Sequence, residues 1–171
     1  MNTSGFFAIV LASMLALAVR TPTPAQADPL SLAKQDVALQ SRGDVAAALA
    51  LYADDAIVQY GGLCWTPCVG KAAVQKELER RVAARNHATV IATFVSGNVA
   101  VLKTEVRLGS IDKSGRVQST GWSPGVDRIV VWNIYQVTGG KIAVVTLVGE
   151  RTDPQTGCFI EWLRSRQQAA R

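Results

Sequence analysis

The sequence predicts an α+β domain: three N-terminal helices packed in the concave face of a curved, mostly antiparallel sheet, an α+β cone barrel. Three observations lead there. Apolar residues up to Arg85 recur at helical spacing in three segments. From Ala88 onward the chain turns β-branched and alternating. Glycine pairs or Gly-Asn then punctuate the strands where hairpins would turn. Helices first and a run of neighbouring strands after is an α+β order rather than a βαβ order.

The first helix is expected over Leu32 to Ser41, with apolar residues at 32, 33, 37, 38 and 39. Arg42-Gly43 ends it. Asp44 is a good N-cap for a second helix, Val45 to Ala53. Asp54-Asp55 stops that helix, and Ala56 to Tyr60 reads as a short strand. A third helix follows Gly70, from about Lys71 to Arg85. Its apolar stripe is Ala73, Val74, Leu78 and Val82, and its Lys, Glu and Arg residues are expected on a solvated face. Thr89 to Ser96, Val99 to Leu108, Asp127 to Thr138 and Lys141 to Gly149 are the expected strands. Ser110 to Gly125 is read as a polar excursion. The tail from Arg151 is read as polar, with one apolar cluster at Phe159, Ile160, Trp162 and Leu163.

Phe6 to Val19 is a different kind of segment: fourteen residues without a charge, followed by Ala25-Gln26-Ala27. An apolar core of that length before an A-x-A site predicts a signal peptide over 1–27, leaving 28–171 as one domain that is secreted or periplasmic. The n-region is off-pattern, since Met1 to Gly5 holds no Lys or Arg. No apolar run reaches the roughly 18 residues of a membrane span, so no membrane contact is expected after cleavage.

Composition narrows the function classes. The chain has 171 residues, is 49% hydrophobic and 18% charged, and carries a net charge of +5. That is too apolar for a disordered chain. The positive excess is mild, and the basic residues do not interleave with aromatics, so nucleic acid is not an expected partner. The three cysteines are Cys64, Cys68 and Cys158. The Thr66-Pro67 pair between the first two turns the chain and predicts a Cys64–Cys68 disulfide in an oxidising compartment. Free thiols or pairing with Cys158 are the alternatives. Three residues separate Cys64 from Cys68, so the redox C-x-x-C motif is not met. No metal motif, phosphate loop or nucleophile elbow is present, and no cofactor is expected.

Four short stretches carry a family resemblance. They are Gly43-Asp44, then Leu51 to Ala56 (LYADDA), then Val69 to Val74 (VGKAAV), and later Tyr135-Gln136-Val137 with Gly140-Lys141-Ile142. In this order they resemble the SnoaL-like group of the nuclear transport factor 2-like superfamily, over about residues 32 to 149. The resemblance implies a bent sheet wrapped around helices, a pocket at the open end, and a homodimer formed by the convex sheet faces. Relatives include ketosteroid isomerase, limonene epoxide hydrolase and non-catalytic binders, so fold alone does not give function.

Aligned on those stretches, the isomerase base position falls on Tyr60, its Tyr position on Asp36 and its third position near Val130. None matches the isomerase set. The hydrolase Arg-x-Asp pair falls on Glu105 and Arg107 with the charges inverted, and its second Asp near Leu147. Neither mechanism transfers.

Glu105-x-Arg107 is the remaining candidate pair. Residues two apart on a strand share a face. The resemblance places both inward, where Glu105 would be the acid/base and Arg107 an anchor. The alternation with Lys103 places both outward, with Leu102, Thr104, Val106 and Leu108 as the apolar face. Tyr60, Trp132 and Trp65 are the other candidate ligand-binding residues, Trp65 as a lid in the cysteine loop. His87 is expected as an exposed loop residue. Two functions follow. One is an exported protein binding a small molecule in an apolar pocket. The other is an isomerase, lyase or hydrolase acting on a small apolar substrate with Glu105.

Overall fold

A computed structural model describes residues 27–61, 66–114, 117–121, 123 and 125–169. All but Ala27 of the expected signal segment, and Cys64 and Trp65, lie outside them. Helix α1 (Pro29–Ser41) starts on Asp28, whose carboxylate accepts from the amides of Leu30 and Ser31, with Pro29 in the first turn. Helix α2 (Val45–Ala50) is capped by Asp44, which accepts from the Ala47 amide. Strand β1 (Tyr52–Gly61) begins sooner than the sequence predicts, so α2 is shorter. The reason is tertiary: Tyr52 pairs with Ile142 and its side chain is buried, which outweighs the helix propensity of the Ala-rich run. Asp54 and Asp55 therefore lie in the strand, solvent-exposed.

A two-residue strand β2 (Cys68–Val69) precedes α3 (Lys71–Ala83). Strands β3 (Asn86–Ser96) and β4 (Val99–Ile111) form the first hairpin, turning at Gly97 with φ +56°. The expected polar excursion contains a third hairpin arm, β5 (Val117–Ser119), which pairs with the end of β4. Strands β6 (Arg128–Thr138) and β7 (Lys141–Gly149) turn at Gly139 and Gly140, both at positive φ, as a tight hairpin requires.

The order across the sheet is β2-β1-β7-β6-β4-β3, with β5 on β4. Every pairing is antiparallel except β1 with β7. The sheet is curved, and α1 lies across its inner face against β3, β4, β6 and β7. Ala33 and Val37 of α1, Leu78 of α3 and Leu102 of β4 belong to the main core. Alternation along β4 is clean: Ala100, Leu102 and Thr104 are buried inside, while Lys103, Glu105 and Arg107 stand on the other face.

The tail differs from expectation. It is a 16-residue helix, α4 (Pro154–Ala169), packed on β6 and β7. Asp153 accepts from the Thr156 amide at 2.9 Å and from its hydroxyl at 2.8 Å, and Thr156 Oγ1 accepts from the Val130 amide at 2.8 Å. Phe159 joins Val126, Ile129 and Val131 in a second core cluster. Gly149 permits the close approach, since a Cβ there would lie 2.9 Å from Ile160 Cδ1.

Candidate functional site

Between the inner sheet face, α1, α3 and α4 lies a cavity of about 410 Å³. That is within the range of small-molecule sites, about 300–1,000 Å³. Val106, Ile129, Val131 and Leu147 come from inward positions of the sheet, and Phe159 and Ile160 of α4 add to the apolar wall. One polar side is Gln40 and Ser41 at the end of α1, Tyr60 on β1, Arg80 and Arg81 on α3, and Asn86 at the start of β3; Thr104, Asn133, Tyr135, Arg151 and Thr156 are the other polar lining residues. Ser41 Oγ and Asn86 Oδ1 are buried with no hydrogen-bond partner among the described residues.

Two polar networks stand behind this wall. In the first, Glu77 is shared. Its Oε1 accepts from Tyr60, from Arg80 Nη2 at 2.7 Å and from Arg81 Nε at 2.8 Å, while Oε2 accepts from Arg80 Nε at 2.8 Å. Arg80 Nη2 and Arg81 Nη2 also donate to the Tyr60 hydroxyl, at 3.1 and 3.2 Å. Burial alone would raise the Glu77 carboxyl. The Arg80 bonds, the Arg81 charge and the Tyr60 bond outweigh it and hold the group down to about 2. Burial pushes the Tyr60 hydroxyl up, against Arg81 and with Glu77. Glu77 is therefore a fixed anion and Tyr60 a neutral donor at physiological pH.

The second network centres on Asp36, which is fully buried. Its Oδ2 accepts from Gln40 Nε2 at 2.7 Å, Tyr135 at 2.9 Å and Tyr52 at 3.1 Å. Its Oδ1 has no hydrogen-bond partner among the described residues. Desolvation raises its pKa, opposed by those donors and by Arg81. Burial first, then the Asp36 charge, push Tyr52 and Tyr135 well above the ordinary phenol value. Asp36 does not itself line the cavity, but Tyr135 and Gln40 do. A link between the networks runs from Arg81 Nη1 to Gln40 Oε1 at 3.4 Å.

Of the residues the sequence singles out, Tyr60 lines the cavity. Glu105 and Arg107 do not. They occupy the outer sheet face, where Arg107 Nε lies 2.9 Å from Glu105 Oε1 and Arg128 Nε 3.6 Å from Oε2. Strand alternation, not the family alignment, gives their direction, and Glu105 is not placed to serve as the acid or base of this cavity. Trp132 is also outside. Its ring lies 6.0 Å from Phe94, Lys103 Nζ sits 4.7 Å above it, and its Nε1 donates to Glu150 at 2.8 Å. His87 is partly buried and its Nε2 lies 2.9 Å from the Gly109 carbonyl. Among the described residues Cys68 and Cys158 of α4 form no disulfide.

What the sequence reading missed is the inward side of α3. Glu77 and Arg81 were expected in solvent, yet both are buried. Their i,i+4 spacing, one turn apart beside Leu78, was the available signal. Asp36 left less trace, because its partners Tyr52 and Tyr135 are 16 and 99 residues away.

A helix-filled curved sheet with its cavity at the open end is the geometry of the cystatin-like cone. The family model of the SnoaL-like domain matches residues 35–145. The chain belongs to the SnoaL-like family. Solved structures agree on the fold of this SnoaL-like domain. A nuclear transport factor 2-like protein of unknown function from Cytophaga hutchinsonii superposes with TM-score 0.55 at 12% identity, covering 76% of this chain and 96% of that one. A cystatin-fold protein from Novosphingobium aromaticivorans gives 0.57 at 23%, covering 70% and 97%. An epoxide hydrolase/cyclase-like enzyme of pyran ring formation in the polyether salinomycin gives 0.56 at 15%, covering 73% and 92%. No curated protein gives a significant match.

Proposed function

We propose that this chain is an exported SnoaL-like protein that binds a small molecule with an apolar body in its conical cavity. The observation behind this is the wall composition. Among the described lining residues there is neither carboxylate nor histidine, while Val37, Ala88, Val106, Ile129, Val131 and Phe159 supply an apolar lining. A general acid or base of ordinary kind needs to lie within hydrogen-bond reach of the substrate. The wall's titratable groups are instead Arg151 and four residues held by bonds to Glu77 or Asp36: Tyr60, Arg80, Arg81 and Tyr135. Relatives of this fold include an epoxide hydrolase/cyclase-like enzyme. The isomerase, lyase or hydrolase reading, with Glu105 as its acid/base, has that carboxylate outside the cavity.

Export rests on the apolar Phe6 to Val19 stretch and the Ala25-Gln26-Ala27 site. In that compartment Cys68 would close its short loop with Cys64. A homodimer through the outer sheet face is part of the proposal, with Phe94 and Trp132 as its apolar centre. Neither nucleic acid nor membrane is a proposed partner.

The test is a small-molecule stabilisation screen repeated on an Ala88→Phe variant, whose ring would occupy the cavity. Ligands of the native state raise its melting temperature by mass action. Hits that stabilise the parent protein and not the variant support the proposal. Absence of hits, or hits indifferent to Ala88→Phe, would overturn it.

A further inference from the structure

The charged residues of the cavity wall share one sign. Among the described lining residues they are Arg80, Arg81 and Arg151. Behind them stand two carboxylates. Glu77 is divided between Arg80 and Arg81, with Oε1 at 2.7 and 2.8 Å from the two guanidinium groups. Asp36 is buried beyond Gln40 and Tyr135, and desolvation favours its neutral form. Even with Asp36 ionised, three guanidiniums face two carboxylates, so the cavity keeps a positive excess. The Arg81 side chain is only 10% exposed, so its field acts in a poorly screened, low-dielectric space.

Positions matter as much as charge. Arg81 is fixed by three bonds: Nε to Glu77, Nη2 to Tyr60 and Nη1 to Gln40. Each terminal nitrogen of a guanidinium has two N–H groups, and each of these is shown with one acceptor. Arg80 presents a half-exposed guanidinium on the same helix face as Glu77. The remaining donors make a pre-arranged pair of forks at the polar end, with Tyr60 between them. The rest of the wall is mainly apolar, from Val106, Ile129, Val131, Leu147, Phe159 and Ile160, with Thr104, Asn133, Tyr135 and Thr156 among them. One end reads an anion and the other reads hydrocarbon.

We infer that the ligand of this cavity is a monoanionic organic acid, its carboxylate held by Arg80 and Arg81 and its hydrocarbon body lying against Ile129, Val131 and Phe159. Guanidinium–carboxylate pairing is geometrically matched and charge-assisted. The small positive excess suits a single charge. This inference rests on the binding reading above and narrows it to a ligand class.

Isothermal titration calorimetry with matched probes tests it: 2-naphthoate against 2-naphthylmethanol, and decanoate against 1-decanol, on the purified chain. A charge-assisted hydrogen bond contributes about 1.5–3 kcal/mol, so each acid is expected to bind roughly 10- to 100-fold tighter than its alcohol. Arg80→Gln should remove most of that preference. Glu77→Gln combined with Arg80→Gln and Arg81→Gln removes both guanidiniums together with the carboxylate they share, so it serves if single changes at Arg81 unfold the protein; it should abolish the preference. Alcohols binding as tightly as acids, or an acid preference that survives both variants, would overturn the inference and leave the cavity-binding proposal standing. If no probe binds, both fall.

Discussion

Tyr135 and Asp36, 99 residues apart in the chain, meet inside the cone with the phenol donating to Oδ2 at 2.9 Å. One member lines the cavity and the other is sealed behind it. The bond ties β6 to α1, and Tyr52 ties β1 to the same oxygen at 3.1 Å. A single carboxyl thus gathers the first helix and two strands that are not neighbours in the sheet.

Replacing Asp36 separates its shape from its charge. Its folded-state pKa is raised, so the native state holds its proton more tightly than the unfolded chain does. The stability this contributes is present below the ordinary carboxyl value and is lost as pH rises through the folded value. Asp36→Asn removes that titration. The variant should gain on the parent protein as pH rises from about 4. Asp36→Ala strands three donors and should cost roughly 3 kcal/mol. Urea midpoints measured from pH 4 to 8 check both; a parallel pair of curves for Asn and parent would refute the argument.

Glu77 has the opposite sign. Its pKa is held down to about 2. The stability it contributes is present above the ordinary Glu value near 4.3 and is lost as pH falls toward 2. The parent protein should therefore lose on the order of 3 kcal/mol across that acid limb. Glu77→Gln should flatten the limb and, at neutral pH, cost roughly 3 kcal/mol by leaving Arg81 buried without its partner. Thermal unfolding at pH 7 and pH 3 gives the comparison. Equal losses in the two proteins on acidification would count against a fixed anion at this position.

Thr156→Val keeps the shape of a buried side chain and deletes its hydroxyl. The Val130 amide then loses its acceptor and Asp153 loses a donor. A cost of about 1–3 kcal/mol is expected, with α4 loosened first because both bonds belong to its docking. Hydrogen exchange should show faster amides over 154–163 than over β4. Uniform acceleration along the chain would mean that α4 is not a separately opening unit.

The outer sheet face tests the dimer. Phe94 is 56% exposed beside Trp132, an unusual cost for a monomer in water. Light scattering should give twice the monomer mass, and Phe94→Lys should give the monomer with unchanged circular dichroism. A monomeric parent protein at micromolar concentration removes the proposal.

Much of this architecture is legible in local sequence. Gly139-Gly140 marks a hairpin because both residues adopt positive φ, which other residues resist. Strand alternation correctly sends Lys103, Glu105 and Arg107 outward. The parallel pairing of β1 with β7 leaves no local signal, since its partners lie some ninety residues apart. Nor does the Asp36 network, for the same reason. Helix α4 is different, for its start was readable. Asp153-Pro154 repeats the Asp28-Pro29 opening of α1, a capping carboxylate followed by proline. Polar residues around Phe159 obscured an amphipathic stripe that packs only because the cone offers it a rim.

Helix α4 begins beyond residue 145, where the family match stops. Arg80 and Arg81 sit inside the shared segment, whereas the roof over the hydrocarbon end lies beyond it. Tail exchange between homologous chains would therefore re-tailor which bodies fit without disturbing how their heads are gripped.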